Sequence, residues 1–193
     1  MNNLTVGSII SNGFSLGLKN VVALIVNTIL WVLTIWIPYL NVGTTIGLFI
    51  GLVPKMSKGD TISMTEIFNP VYRKRMGDIF LVNVLITVGV EFGLLFLVIP
   101  GLVLSVSWIL AAYLVLDKGL NAMDAIHKSN ELTSGKKWSI FGGLFILHLL
   151  LAVALFIGLS IPYIGSLIVI AVYLVAIPIT LGALAYIYGA LVE

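Results

Sequence analysis

The stretch LVNVLITVGVEFGLLFLVIPGLVLSVSWILAAYLVL, residues 81–116, decides the fold, because Glu91 is the one charged side chain in it. A helix crossing the roughly 30 Å hydrocarbon core of a bilayer needs about 20 residues of this kind. The stretch is therefore read as two spans, separated at Ile99-Pro100-Gly101. Proline suits a turn there, since it has no N–H to give a helix and pushes the residue before it out of the α region.

The same pattern extends in both directions. Six apolar runs pair as 20–37 with 42–56, 76–98 with 102–116, and 138–160 with 164–190. Their turns are Ile37-Pro38-Tyr39, Ile99-Pro100-Gly101 and Ile161-Pro162-Tyr163, so the prolines recur every 62 positions. A fixed period of that length marks internal duplication. The expected fold is an all-α integral membrane domain over residues 1–193, with pseudo-repeats near 1–60, 61–120 and 121–193. It has six transmembrane helices arranged as three helical hairpins. The second spans of the first two pairs are short, about 22 Å of helix each, and would need local thinning of the bilayer.

Composition excludes a soluble domain. The chain is 60% hydrophobic and 9% charged, with a mean hydropathy of +1.17, whereas soluble domains carry about a quarter charged residues. The charges fall at Lys19, between Lys55 and Arg75, between Asp117 and Lys137, and at Glu193, with only Asp78 and Glu91 outside these groups. The Ile-Pro turns carry no lysine or arginine, so the positive-inside rule places the other side, with both termini, in the cytoplasm. The first apolar run is read as a span and not as a cleaved leader. No cysteine is present, which removes disulfide and thiolate chemistry.

Each pair is preceded by a segment of amphipathic character. Thr5 is placed to cap a helix with Val6, Ile9, Ile10 and Phe14 on one face, and Ser63 with Glu66 has the spacing of a capping box. Asn121 starts a third helix, with Ala122, Met123, Ile126, Ser129 and Asn130 on one side and Asp124, His127, Lys128 and Glu131 on the other, ended by Gly135. Such helices are expected at the head-group boundary or against the ends of the spans.

Within the spans, Gly43, Gly47 and Gly51 stand four apart and predict a groove for close helix packing, as do Gly89 and Gly93. Pro178 interrupts the last span and predicts a kink. Asn27, Asn83, Glu91 and His148 are the intramembrane polar candidates. The cost of an ionisable group in hydrocarbon turns Glu91 and His148 away from lipid. Arg73, Lys74 and Arg75 beside Tyr72, and Lys136 and Lys137 beside Trp138, are placed to meet anionic phospholipid head groups. Asp124, His127 and Glu131 read as a solvated helix face, not as a metal site. No catalytic, cofactor or metal residue is expected, and no phosphate loop or nucleophile elbow is present. Nucleic acid is excluded as a partner, because the basic residues hug the membrane boundary.

Residues 99–141 carry a longer pattern: Ile99-Pro100-Gly101, Trp108, Leu114-Val115-Leu116, Ala125, Ser129, Leu132-Thr133, Gly135, Trp138 and Phe141. In order and spacing it resembles bacterial inner-membrane proteins related to the membrane domain that accompanies some glycerophosphodiester phosphodiesterases. The resemblance implies an inner-membrane location and an association with phospholipid metabolism or envelope homeostasis. The phosphodiesterase activity of those relatives lies in a soluble domain that this sequence does not contain. The expected function is a non-enzymatic membrane protein engaging lipids or partner proteins at the inner leaflet. The alternatives are a homo-oligomeric channel or small transporter with Glu91 in its path, and a lipid-modifying enzyme.

The absence of cysteine makes the topology directly testable. Lys74→Cys is expected to react with an impermeant maleimide only after the cell membrane is opened, and Ile99→Cys in intact spheroplasts. The reverse pattern would contradict the orientation.

Overall fold

The computed structural model describes residues 4–161 and 165–192, and every regular element among them is helical. Pro162 and Tyr163 of the third turn, and Glu193, lie outside the described residues. In order come α1 (Val6–Lys19), α2 (Val21–Thr34), α3 (Pro38–Ile46), a π-helical turn (Gly47–Gly51) and α4 (Leu52–Ser57). Two short 3-10 turns (Glu66–Phe68 and Pro70–Arg73) lead into α5 (Met76–Phe96). Next are α6 (Val98–Ser107), α7 (Ala111–Asp117), α8 (Ala122–Thr133), α9 (Lys137–Ser160) and α10 (Gly165–Val192).

Among the described residues, four stretches are long and apolar enough to cross a membrane: α5, α6 with α7, α9, and α10. A fifth arises if α1 and α2, bent by 75° at their junction, count as one broken span. The outer faces of α5 and α9 expose Phe92, Phe96, Phe145 and Phe156, an apolar surface far beyond what a soluble monomer shows. Of the expected hairpins, α2 packs on α3, α5 on α6 and α9 on α10. The first pair departs most from a simple span. At 14 residues, α2 is only about 21 Å long, and the return strand of that pair is divided into α3, the π turn and α4.

The turns follow their sequences with one shift. Ile37 leaves the helical region (φ −116°, ψ 89°) and Pro38 is the first residue of α3, where its missing N–H costs nothing. In the second pair the break falls at Leu97 (φ −157°, ψ 129°), and Pro100 sits inside the first turn of α6. The first turn of a helix has no intrahelical acceptor to lose, so a proline is tolerated there too.

The break between α6 and α7 frees backbone groups where water is scarce, and α8 supplies their partners. The Ser129 hydroxyl donates to the Ser107 carbonyl at 2.7 Å and accepts the Leu110 N–H at 3.1 Å. Thr133 donates to the same carbonyl at 3.3 Å. All of these residues are buried. A helix break inside an apolar body survives only when such groups are paired again. Trp108, at the break, lays its ring against Gly89 of α5, and Gly93 meets Gly101 backbone to backbone. Gly93 thus receives the backbone of another helix, whereas Gly89 receives a side-chain ring.

The amphipathic segments need correction. Thr5 and Ser8 form the expected capping box, and Asn121 caps α8 by accepting the Asp124 N–H at 2.9 Å. Yet α1 is not free to lie at a head-group boundary. Its Gly13 and Gly17 bring it against the backbone of α10, where a Cβ on Gly17 would stand 2.5 Å from the Pro178 carbonyl oxygen. Its Ile9 meets Gly143 of α9. On α8 the inward face is Ala122, Ala125, Ile126, Ser129 and Thr133, whereas Met123 and Asn130 are exposed. The middle segment is no helix. Ser63 caps nothing regular, and Glu66 opens a 3-10 turn with its carboxylate committed elsewhere.

Ser129→Ala would leave the Leu110 N–H without its buried partner and the Ser107 carbonyl with only the longer bond from Thr133. Unfolding in mixed micelles is expected to show a loss of about 1–3 kcal/mol. Ser105→Ala, whose hydroxyl only bonds back to Leu102, should stay within about 0.5 kcal/mol.

Candidate functional site

The glycine seam of the first pair does not receive a helix. Tyr72 lays its ring on Gly47 and Gly51, Ile67 brings its backbone against Gly47, and the aliphatic stem of Arg73 covers Gly43. Glycine is needed because any Cβ there would strike these atoms, and a ring stacked against helix backbone tolerates none. This corrects the reading of the seam as a helix-packing groove, and it leaves the three glycines with no face for a second copy. Small residues at helical spacing predicted close approach. Their spacing could not say that the loop from residue 58 to 75 would be the partner.

That loop is fastened from both sides. Asn27, fully buried on α2, donates to the Ser63 carbonyl at 2.8 Å and accepts the Ile67 N–H at 3.1 Å. The Glu66 carboxylate accepts from Lys55 at 2.6 Å, Tyr72 at 3.0 Å and Asn69 at 3.2 Å. Burial by itself would raise its pKa. The bonds from Lys55, Tyr72 and Asn69, with the Lys55 charge, outweigh that and hold it below the ordinary value of 4.5. Burial, then the charge and hydrogen bond of Glu66, push the Tyr72 phenol upward, so it remains a donor. Asn27 is thus a structural anchor, not a group on a path.

On the other side of the π turn from Tyr72, a groove of about 1020 Å³ opens between α3 and α5, floored by α7 and the end of α6. Its lining is mainly apolar, with two polar rows at helical spacing: Asn41 and Thr45 on α3, and Asn83, Thr87 and Glu91 on α5. Residues four apart share a helix face, so the α5 row is a stripe in an otherwise apolar helix. Thr45 is held by the Trp31 indole N–H at 2.8 Å, and the Asn83 amide bonds back to the Ile79 carbonyl at 2.8 Å. Glu91 has no hydrogen-bond or ion-pair partner among the described residues and is exposed to the groove. Phe49 and Ile50 of the π turn form part of the same wall. The seam, the loop and the groove are one construction: Tyr72 backs the turn whose other face lines the cavity.

The remaining candidates fall elsewhere. His148 does not turn inward. It is exposed on α9 among Phe145, Leu149 and Leu150, with Nδ1 2.7 Å from the Leu144 carbonyl, so one ring nitrogen is satisfied by its own helix. That local bond is what lets an imidazole sit on an apolar face. Arg75 lies 3.3 Å from the Leu120 carbonyl and 3.7 Å from Asp78, Lys137 donates to Asn130 at 2.9 Å, Lys74 is exposed, and Lys136 is half-buried. Trp138 is 80% exposed beside Phe141. Asp117, unremarked in the sequence, accepts from Lys58, from Lys118 at 3.2 Å and from Tyr188 at 2.8 Å, tying α4, α7 and α10 together. No group of three or more His, Cys, Asp or Glu residues among the described residues is placed to hold a metal ion.

No protein-family model, curated protein or solved structure matches the chain.

The depressed Glu66 pKa sets a sign. The stabilisation is complete above the ordinary 4.5 and is lost as pH falls through the lowered value. The Ile67 amide should therefore keep its exchange protection at pH 7 and lose it only below about 4.5, while Glu66→Gln loses it throughout. Protection independent of both pH and substitution would refute Glu66 as a fastening of the loop.

Proposed function

We propose that this chain is a non-enzymatic bacterial inner-membrane protein that engages membrane amphiphiles, and that the groove between α3 and α5 is where it does so. The observation that carries the reading is Glu91, without a partner among the described residues, at the end of a polar stripe inside a large, mainly apolar groove. An ionisable group that the protein leaves unpaired inside an apolar helix is costly and marks a site, and concave, mostly apolar pockets with a few polar groups are the usual form of ligand sites.

In this proposal the chain carries six membrane segments in three hairpins, the short first hairpin crossing where the bilayer thins. Both termini and the basic residues face the cytoplasm. Lys74, Lys136 and Trp138 then meet anionic phospholipid head groups at the inner leaflet. The pairwise packing of α2 with α3, α5 with α6 and α9 with α10 supports that arrangement. The resemblance of residues 99–141 to the membrane domain found with glycerophosphodiester phosphodiesterases agrees with a role beside phospholipids. Ser129, Thr133 and Trp108 in that pattern have structural work at the α6–α7 break, which favours a non-enzymatic reading. The channel alternative keeps Glu91 but loses the glycine seam as its assembly surface, since Tyr72 and Arg73 fill it.

Native mass spectrometry from mild detergent tests the reading. The wild-type chain is expected to retain one amphiphile per copy. Val84→Trp, which places an indole in the groove from a position that is already 46% exposed, should lose it while remaining folded. Equal retention by both would contradict the groove as the site.

A further inference from the structure

The charge pattern of the groove bears on which amphiphile it takes. Among its lining residues Glu91 is the only Asp, Glu, Lys, Arg or His. Of the basic residues nearest in sequence, Lys55 is engaged on Glu66, Arg75 at Leu120 and Lys118 on Asp117, while Arg73 lays its stem along Gly43 and Lys74 is exposed, neither of them lining the groove. An anionic head group in this cavity would meet one carboxylate of like sign and no compensating cation, at a low effective dielectric where the repulsion is strong. A cation would meet the reverse. Four rings line the same space, Phe49, Phe80, Trp108 and Tyr113, and the faces of such rings attract organic cations.

Trp108, which lines the groove, is fixed in place by its seat on Gly89 of α5, about half a turn of helix from Glu91. Phe49 is held from behind, through the π turn, by Tyr72 and the Glu66 cluster, and its ring stands edge-on to Trp31 at 5.3 Å. The Trp108 and Phe49 walls are therefore positioned before any ligand arrives, which limits the ordering cost of binding. The volume, about 1020 Å³, is at the upper end for drug-sized ligands.

Resting on the groove reading above, we propose that the ligand is a lipophilic organic monocation: an ammonium or phosphonium centre shielded by apolar substituents, with Glu91 as its counter-ion and the rings as its walls. The apolar substituents carry it into the bilayer, and the lateral opening between α3 and α5 admits it from there.

Equilibrium dialysis of the purified full chain in zwitterionic nanodiscs tests this, with tetraphenylphosphonium as the probe. One saturable site per chain is expected. Tetraphenylborate, of the same shape and opposite charge, should neither bind nor compete. Glu91→Gln should weaken binding at least tenfold and Glu91→Asp much less. Binding of tetraphenylborate as tight as that of the cation, or unchanged affinity in Glu91→Gln, overturns the proposal. Retention of a groove phospholipid together with failure to bind the phosphonium overturns the cation selectivity and leaves the groove reading standing. Loss of both overturns both.

Discussion

A carbonyl or amide freed by a helix break inside an apolar body has no water to turn to, and in this chain one hydroxyl answers for both. Ser129 bridges the Ser107 carbonyl and the Leu110 N–H, so the run from Val98 to Asp117 can be interrupted without leaving a buried orphan. Much of the site follows from that break. It presents Trp108 to Gly89 of α5, and α7 beyond it becomes the floor of the groove. It also fixes α8 against the spans instead of leaving it to lie in the head-group layer.

A second constraint operates on the opposite wall. The loop before α5 is polar in sequence, yet it carries Ile67 and Tyr72 into the interior. Burying that backbone requires partners, and Asn27 and Glu66 supply them. The result is a π turn held on one side by a tyrosine and open on the other to the cavity. π turns inside helices recur at functional positions because they redirect side chains without ending the helix, and here the redirected residues include Phe49 and Ile50.

What the sequence made legible was whatever follows from the cost of polarity in hydrocarbon. The long apolar runs, the α5 and α9–α10 boundaries, the caps at Thr5 and Asn121, and the oddness of Glu91 all follow from that cost alone. Partner identity did not follow. Gly43, Gly47 and Gly51 announced a close approach, but the occupant, Tyr72, lies more than twenty positions on and carries no local sign of it. Gly13 and Gly17 hold the same spacing signal in α1, but the amphipathic pattern around them is that of a surface helix. Ser129 and Thr133, four apart on the inward face of α8, were visible as part of a motif. That they repair a break at Ser107 required the break to be seen, and nothing in the run from Val98 to Asp117 interrupts its hydropathy. His148 shows the converse error: a polar residue need not face inward when its own helix can satisfy it.

The central claim is that the space between α3 and α5 opens sideways to the bilayer and is occupied from it. The most direct measurement is photo-crosslinking in nanodiscs with a phospholipid bearing a diazirine on its acyl chain, followed by peptide mapping. The account predicts adducts on both walls, within residues 41–50 of α3 and the π turn and within residues 83–91 of α5, that disappear when a lipophilic cation fills the groove. Adducts confined to the outer faces around Phe96 and Phe156, insensitive to any ligand, would contradict it.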